Sequence, residues 1–150
     1  MKATNVESLF GLMDEAITLL QTEAELTYVE ALSETLENLS FEAKAQQVEG
    51  LPSNEAVERL NSLYKKMNLD ALDKEIIRKS IQLTFIKATK EDKLQMNHQM
   101  TPDTIAYLIA YFIGEIKKDK TEKLHVSDLA AGTGNLLNIV VAHLTSRGNE

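Results

Sequence analysis

The apolar residues of the first 93 positions recur at the three- and four-residue spacing that places them along one side of an α-helix. We distinguish four such segments. Their apolar positions are Val6, Leu9, Phe10, Met13, Ala16, Ile17 and Leu20; Tyr28, Leu32, Leu36 and Leu39; Val57, Leu60, Leu63, Tyr64 and Met67; and Ile76, Ile77, Ile81, Phe85 and Ala88. The first two helices are expected to pair as a hairpin. The pattern therefore predicts an all-α domain over residues 1–93.

Short polar breaks mark the expected helix boundaries. The sequence Gly50-Leu51-Pro52-Ser53 interrupts the apolar pattern, and Ser53 is of a residue type that favours the N-cap position. Glu55 then falls in the first turn, where its negative charge suits the helix dipole. The third helix is therefore expected to begin after Ser53 and the fourth near Asp73.

The pattern changes after Lys93. Residues 95–100 are largely polar and lack a helical period, and Thr101 and Pro102 then form a typical N-cap and first helical residue. The helix that follows is expected to bury one face, formed by Ile105, Leu108, Ile109, Phe112, Ile113 and Ile116. Residues 124–128 alternate like a short strand, which enters a glycine turn and a last helix. Residues 94–150 are therefore predicted to begin an α/β domain.

Composition restricts the class of protein. The apolar share of 43% and the charged share of 26% are typical of soluble proteins, and no apolar run of about 18 residues is present. The N-terminal sequence lacks the features of a signal peptide, and the absence of cysteine excludes disulfides and Cys-ligated zinc. His98, His125 and His143 do not have metal-ligand spacing. These features predict a cytoplasmic protein without a metal.

Charge is distributed unevenly within the net value of −7. Residues 1–50 contain ten acids against two lysines, whereas residues 59–93 contain nine bases against five acids. Because non-specific nucleic-acid affinity comes from Lys and Arg at phosphates, only the second stretch is suited to contact them. Solvated helix faces explain both stretches equally well. The acidic helices of residues 1–50 are interpreted as a homodimer or protein-partner surface, or as a cap on the domain that follows.

The segment Val126 to Leu137, VSDLAAGTGNLL, is the part of the chain that indicates chemistry. Gly132 and Gly134 permit backbone angles that a Cβ disfavours, and they leave room for a ligand to approach the turn. The helix start that follows offers unpaired N–H groups to an anion such as a carboxylate. Asp128, at the predicted strand end, is suited to receive an ammonium group. Together these features predict a binding site for an amino-acid moiety.

Two common nucleotide motifs are not matched. Leu137 stands where the dinucleotide-binding pattern Gly-x-Gly-x-x-Gly requires glycine or alanine, which disfavours NAD and FAD. No Gly-Lys-Ser/Thr follows, so the turn is not a P-loop. A purely structural glycine turn remains the alternative interpretation.

HQMTPDTIAYLI followed by VSDLAAGTGNLL resembles the adenine-specific DNA N6-methyltransferases of the class I S-adenosylmethionine fold, most closely the YtxK-like bacterial members with a helical N-terminal domain. The layout is similar over the whole chain, and the specific motifs over about residues 98–140. The resemblance implies S-adenosyl-L-methionine as cofactor, DNA as partner and no metal. The cofactor-binding residues that it implies are His98, Met100, Thr101, Pro102, Asp128, Ala130, Gly132, Thr133, Gly134 and Asn135. Leu129 replaces the usual proline of the family motif.

The family's acid that binds the cofactor ribose and its Asn/Asp-Pro-Pro-aromatic catalytic motif do not occur in the chain, whose only prolines are Pro52 and Pro102. We therefore assign no catalytic residue, and we expect a truncated Rossmann-like domain in a chain that is inactive alone. The alternative is a helical interaction module, or a degenerate methyltransferase-like protein without catalysis.

Overall fold

A computed structural model of the chain describes residues 2–94, 100–116 and 124–147. The chain divides into two compact units, Met1–Asn97 and His98–Glu150. The α-helices are α1 (Val6–Ala24), α2 (Tyr28–Ser40), α3 (Asn54–Met67), α4 (Lys74–Glu91), α5 (Asp103–Ile116) and α6 (Asn135–Ser146), with a 3₁₀ turn at Leu69–Ala71.

The four helices predicted for the first unit are confirmed, and so is the predicted N-cap Ser53. Ser53 Oγ accepts from the amide of Ala56, and the Asp73 carboxylate accepts from the amide of Glu75. Between α2 and α3 the chain forms a tight turn in which Val48 and Leu51 exchange both backbone hydrogen bonds. The breaks in the apolar pattern therefore coincide with real helix ends.

Helix α1 is the centre of the first unit, because it packs against α2, α3 and α4. The core is made of its apolar stripe together with the stripes of α2 and α3, and its largest fully buried side chains are Tyr28, Tyr64, Leu9, Met13, Ile17, Leu20, Leu60 and Met67. The predicted pairing of α1 with α2 is confirmed as one of these contacts.

Small polar residues, rather than the largest apolar ones, occupy several of the most buried positions. Ser80 and Thr84 of α4 and Thr35 and Asn38 of α2 are each at most 1% exposed, whereas Ile76 is only partly buried. Ser80 Oγ donates to the carbonyl of Val6 at 3.1 Å, which ties α4 to the start of α1. The predicted apolar stripe of α4 does face the core, because Ala88 is fully buried and the larger side chains of the stripe are partly buried against the core.

A polar network joins α1, α2 and α4 at one end of the first unit. The Tyr28 hydroxyl donates to Asp14 Oδ1 at 2.6 Å, and Lys87 Nζ lies 2.7 and 2.9 Å from the two oxygens of the same carboxylate. Asp92, which follows α4, accepts the amides of Tyr28 and Val29 at 3.1 and 2.7 Å. Three helices are thus held together by Asp14, Lys87 and Asp92, which the apolar pattern does not include, and by the hydroxyl of Tyr28.

In the second unit, α5 packs on α6 through small residues. Ala106 and Ala110 are fully buried, and Ala110 packs with Val140 and Leu144 of α6. The expectation that Ile105, Leu108, Phe112 and Ile116 face the core is wrong for this chain, because these four side chains are 46%, 49%, 53% and 83% exposed. Ile109 and Ile113 of the same predicted face do pack on the cluster.

The predicted strand at residues 124–128 is not formed. Exposure alternates as expected, with Leu124 and Val126 packed on the α5–α6 cluster and His125 and Ser127 outside. A strand needs a second extended segment to pair with its backbone groups, and the residues that the structure describes contain no strand. The start of the Rossmann-like sheet is therefore not seen, although the segment has the expected burial pattern.

The described helices also include none that is long and apolar enough to span a lipid bilayer.

Candidate cofactor-binding site

The turn between residue 128 and α6 is built on two glycines in left-handed conformations. Gly132 has φ +53° and Gly134 φ +72°, and the amide of Gly134 donates to the carbonyl of Ala131 at 2.8 Å. Most L-residues are strained at such angles, so both positions favour glycine for a backbone reason. The turn reverses the chain within a few residues and leads directly into α6.

Space around the turn is open. A Cβ placed on Gly132 would come no closer than 3.9 Å to another part of the chain, and one on Gly134 no closer than 3.7 Å. Residues 129–133 are exposed, and Leu129, which stands at the family's proline position, is fully so. The glycines are therefore not needed to fit the turn against the rest of the chain, and the open side is accessible to a ligand.

The N-terminus of α6 lacks a side-chain cap. Gly134 is the N-cap residue and has no side chain to accept from the first amides of the helix. These N–H groups carry the positive end of the helix dipole, which suits an anionic group. The residues present thus fit the carboxylate of an amino-acid moiety.

Asp128 shapes the turn as well as contributing charge. Its Oδ1 accepts from the amide of Ala130 at 2.9 Å, the geometry of an Asx turn. An ionised carboxylate has acceptor capacity beyond one hydrogen bond, so the second oxygen can receive an ammonium group. The side chain is partly exposed, which leaves it accessible.

Asn135 connects the two motifs that the sequence singled out. Its side chain is 6% exposed, and Nδ2 donates to the carbonyl of Thr101 at 3.1 Å and to Asp103 Oδ1 at 3.4 Å. The Thr-Pro segment, which is distant in sequence, is thereby held beside the glycine turn. The Asn135 side chain thus holds together the two segments that would surround a cofactor, and its own contact with a cofactor stays a prediction.

Helix α5 begins one residue later than predicted. The carbonyl of Pro102 accepts from the amides of Ile105 and Ala106, and the first helical residue is Asp103. The expectation of Thr101 as N-cap and Pro102 as first helical residue is therefore wrong by one position. The Thr101 carbonyl is engaged by Asn135, so the chain turns into the helix after this contact.

The remaining predicted site residues differ in what the structure shows of them. Met100 and Thr101 are partly buried, whereas Pro102, Ala130 and Thr133 are exposed. His98 lies outside the described residues. Their contact with a cofactor stays a prediction.

Asp103 is a residue whose role sequence reasoning missed. It lies in the first turn of α5, where its negative charge suits the helix dipole. The structure adds the hydrogen bond from Asn135, and no sequence signal links two residues that are so distant along the chain.

In the part of the chain that the structure describes, no group of three or more metal-ligating side chains comes together.

The fold and the site together define a class of protein in which an all-α domain is followed by a helical unit with a glycine turn at a helix N-terminus. The chain belongs to the YtxK-like family, because the model of the YtxK N-terminal helical domain matches residues 7–89. It is 35% identical to the protein named "Uncharacterized protein YtxK" of Bacillus subtilis (strain 168) over 147 residues, which cover 98% of this chain and 44% of the relative.

A solved structure shows the same fold. It is the crystal structure of a protein of Listeria monocytogenes described as a "putative class I S-adenosylmethionine-dependent methyltransferase", with a TM-score of 0.79 and 35% sequence identity. The match covers 96% of this chain and 42% of that one. The chain thus spans less than half the length of either relative.

Proposed function

We propose that the complete gene product is an S-adenosylmethionine-dependent methyltransferase that methylates N6 of adenine in DNA, and that this chain supplies the first part of the cofactor site. The observation that carries the proposal is the Asn135 bridge, which holds the Thr-Pro segment beside the open glycine turn. The similarity to the solved structure from Listeria monocytogenes supports methyltransferase activity as the general kind of function.

The chain's own groups divide the binding task. The uncapped N–H groups at the start of α6 are suited to the cofactor carboxylate, and Asp128 is suited to its ammonium group. Thr101 and Pro102 would cover this part of the ligand, and the hydrogen bond from Asn135 to the Thr101 carbonyl supports this role. The sulfonium of bound S-adenosylmethionine supplies an electrophilic methyl group, so the protein's task is to position an acceptor amine.

The exposed apolar stripe of α5 supports the α/β architecture that the proposal requires. One face of α5 packs on α6 through Ala106 and Ala110, while the face that contains Leu108 and Phe112 is about half exposed. A helix that is apolar on both faces is typical of burial between two layers. A sheet formed by the remainder of the methyltransferase domain would cover this stripe.

Cofactor titration of the complete gene product tests the proposal. Asp128→Asn keeps the oxygen that accepts from Ala130 but removes the charge, so we expect S-adenosylmethionine to bind about ten to a hundred times more weakly, since a hydrogen bond to a charged group contributes about 1.5–3 kcal/mol. Calorimetry measures the dissociation constant. Gly132→Val is expected to abolish binding, because a β-branched residue is strained at the φ of +53° that the turn has.

Gly50→Val is the matched control, because Gly50 also has a positive φ, of +85°, and no neighbour within 4 Å of its Cβ position. It introduces the same kind of strain in the first unit and is expected to leave cofactor affinity unchanged. Equal affinity of Asp128→Asn and the parent, or no binding by the parent, would contradict the cofactor site. Transfer of a labelled methyl group to an adenine-containing duplex, but not to one already methylated at N6, tests the acceptor.

A further inference from the structure

A groove with an excess of lysines runs between the start of the chain, α1 and α3 in the first unit. Its larger part is an open cleft of about 510 Å³ lined by Lys2, Glu58, Asn61, Ser62, Lys65 and Lys66. A second cleft of about 270 Å³ shares Lys2 and Lys66 and continues along Ser8, Gly11, Leu12 and Glu15 of α1. The larger cleft carries three lysines against Glu58, and the two clefts together carry three lysines against two glutamates, Glu58 and Glu15.

The backbone holds the lysines together across a long sequence separation. The amide of Ala3 donates to the carbonyl of Lys66 at 2.9 Å, and the Ala3 side chain is 6% exposed. Lys2 is thereby fixed next to the last turn of α3, which contains Lys65 and Lys66. The three ammonium groups are concentrated by the fold and not by a run in the sequence.

These cations have no carboxylate partner. Residues 2–94, 100–116 and 124–147 form no ion pair with Lys2, Lys65 or Lys66, whereas Lys44, Lys79 and Lys87 are each paired. Lys65 and Lys66 lie in the last turn of α3, where their charge also suits the helix dipole. A surplus of positive charge is therefore available to an anion.

Neutral donors and open space complete the groove. Asn61 Oδ1 accepts from the amide of Ala45 at 2.8 Å, which leaves its amino group as the donor, and the Ser62 hydroxyl is exposed. Gly11 lies inside α1, where glycine disfavours the helix, yet nothing lies within 4 Å of its Cβ position. Glycine at such a position allows a ligand to approach the backbone closely.

We propose that this groove of the helical domain binds backbone phosphates of the nucleic-acid substrate. The chemistry is that of ammonium and amide donors toward phosphate oxygens, and it carries no base specificity. The inference rests on the proposed DNA acceptor, and it assigns part of the substrate affinity to the helical domain, apart from the glycine turn.

Salt-dependent binding to DNA tests the groove. The complete gene product is titrated against a fluorescently labelled adenine-containing duplex at a series of sodium chloride concentrations, and anisotropy reports binding. For Lys65→Gln/Lys66→Gln we expect weaker binding and a slope of log K against log salt that is less negative by about 2, because each phosphate contact contributes about 0.9. The matched control is Lys74→Gln/Lys90→Gln, which removes two exposed charges from α4 and is expected to keep the parental slope.

Three results would overturn the groove: equal slopes for the groove variant and the parent, equal losses in both double variants, or lysine-dependent binding of inorganic phosphate by a protein that does not bind the duplex. The proposed function is read out separately by cofactor binding and methyl transfer. DNA binding that depends on Lys65 and Lys66, without methyl transfer by the parent, contradicts the proposed function and leaves the groove standing. Cofactor binding by the parent, together with equal salt slopes for the parent and the Lys65→Gln/Lys66→Gln variant, contradicts the groove and leaves the proposed function standing.

Discussion

Single buried side chains form hydrogen bonds between segments that are distant in the sequence. Asn38 is 1% exposed, and its amide group donates to Glu34 and Tyr64 while its oxygen accepts from the amide of Gln46. One side chain thus connects α2, α3 and the segment between them. Asn135 does the same for the two motifs of the candidate site. The buried amide of Asn38 is satisfied because both its donor and its acceptor atom find partners.

Gly11→Ala is expected to raise the free energy of unfolding by about 0.5–1 kcal/mol, because alanine favours the interior of α1 and its Cβ would meet nothing within 4 Å. Urea denaturation measures the change. Gly114→Ala provides the comparison, since its Cβ would lie 3.2 Å from a guanidinium nitrogen of Arg147 and 3.5 Å from Leu144. A smaller gain is expected there. A neutral or destabilising Gly11→Ala would contradict this interpretation.

Among the elements, helix ends depend on residues from other helices as much as on their own caps. The Thr27 hydroxyl caps α2 by accepting from the amide of Glu30. In return, the Glu30 carboxylate accepts from the amide of Thr27. The next amides of α2, those of Tyr28 and Val29, are satisfied by Asp92 beyond the end of α4. The first turn of α2 is therefore completed by an acceptor at the end of α4.

Asp92→Ala is expected to lower the free energy of unfolding by about 1–2 kcal/mol, because two first-turn amides lose their acceptor and the helix dipole loses a favourable charge. Thermal or urea unfolding measures the loss. Asp70→Ala, in the exposed 3₁₀ turn, serves as control and is expected to stay within about 0.5 kcal/mol of the parent. Equal effects of the two substitutions would show that Asp92 does not cap α2.

At the scale of the whole molecule, the buried phenols of Tyr28 and Tyr64 make the free energy of unfolding depend on pH in the alkaline range. Burial raises the pKa of Tyr28, and its hydrogen bond to Asp14 raises it further. Burial likewise raises the pKa of Tyr64. An unfolded tyrosine ionises near pH 10. Because the folded pKa is the higher one, folding holds the proton more tightly than the unfolded chain does.

The free energy of unfolding is therefore expected to keep the contribution of these phenols below about pH 10 and to lose it as pH rises further. Tyr28→Phe removes one of the two titrations, so the alkaline decline should become shallower than in the parent. Urea denaturation at a series of pH values measures both slopes. Phenolate absorbance that appears near pH 10 with full amplitude in the folded parent would contradict the raised pKa values.

Much of the local structure can be predicted from the sequence, because helix periodicity, cap residues and glycine turns are properties of neighbouring residues. The helices that begin after Ser53 and Asp73 illustrate this, and so do the left-handed angles of Gly132 and Gly134. The same local pattern indicated the candidate site before any contact within it was known.

What the tertiary structure decided is which groups meet. The buried face of α5 proved to be that of Ala106 and Ala110, because small residues let two helix axes approach closely and leave larger side chains at the margin. The extended segment at residues 124–128 is not a strand, because pairing requires a partner that a local pattern cannot supply. Lys2 beside Lys66, and Asn135 beside Thr101, likewise depend on the folded path of the chain, since contacts between distant positions leave no period in the sequence.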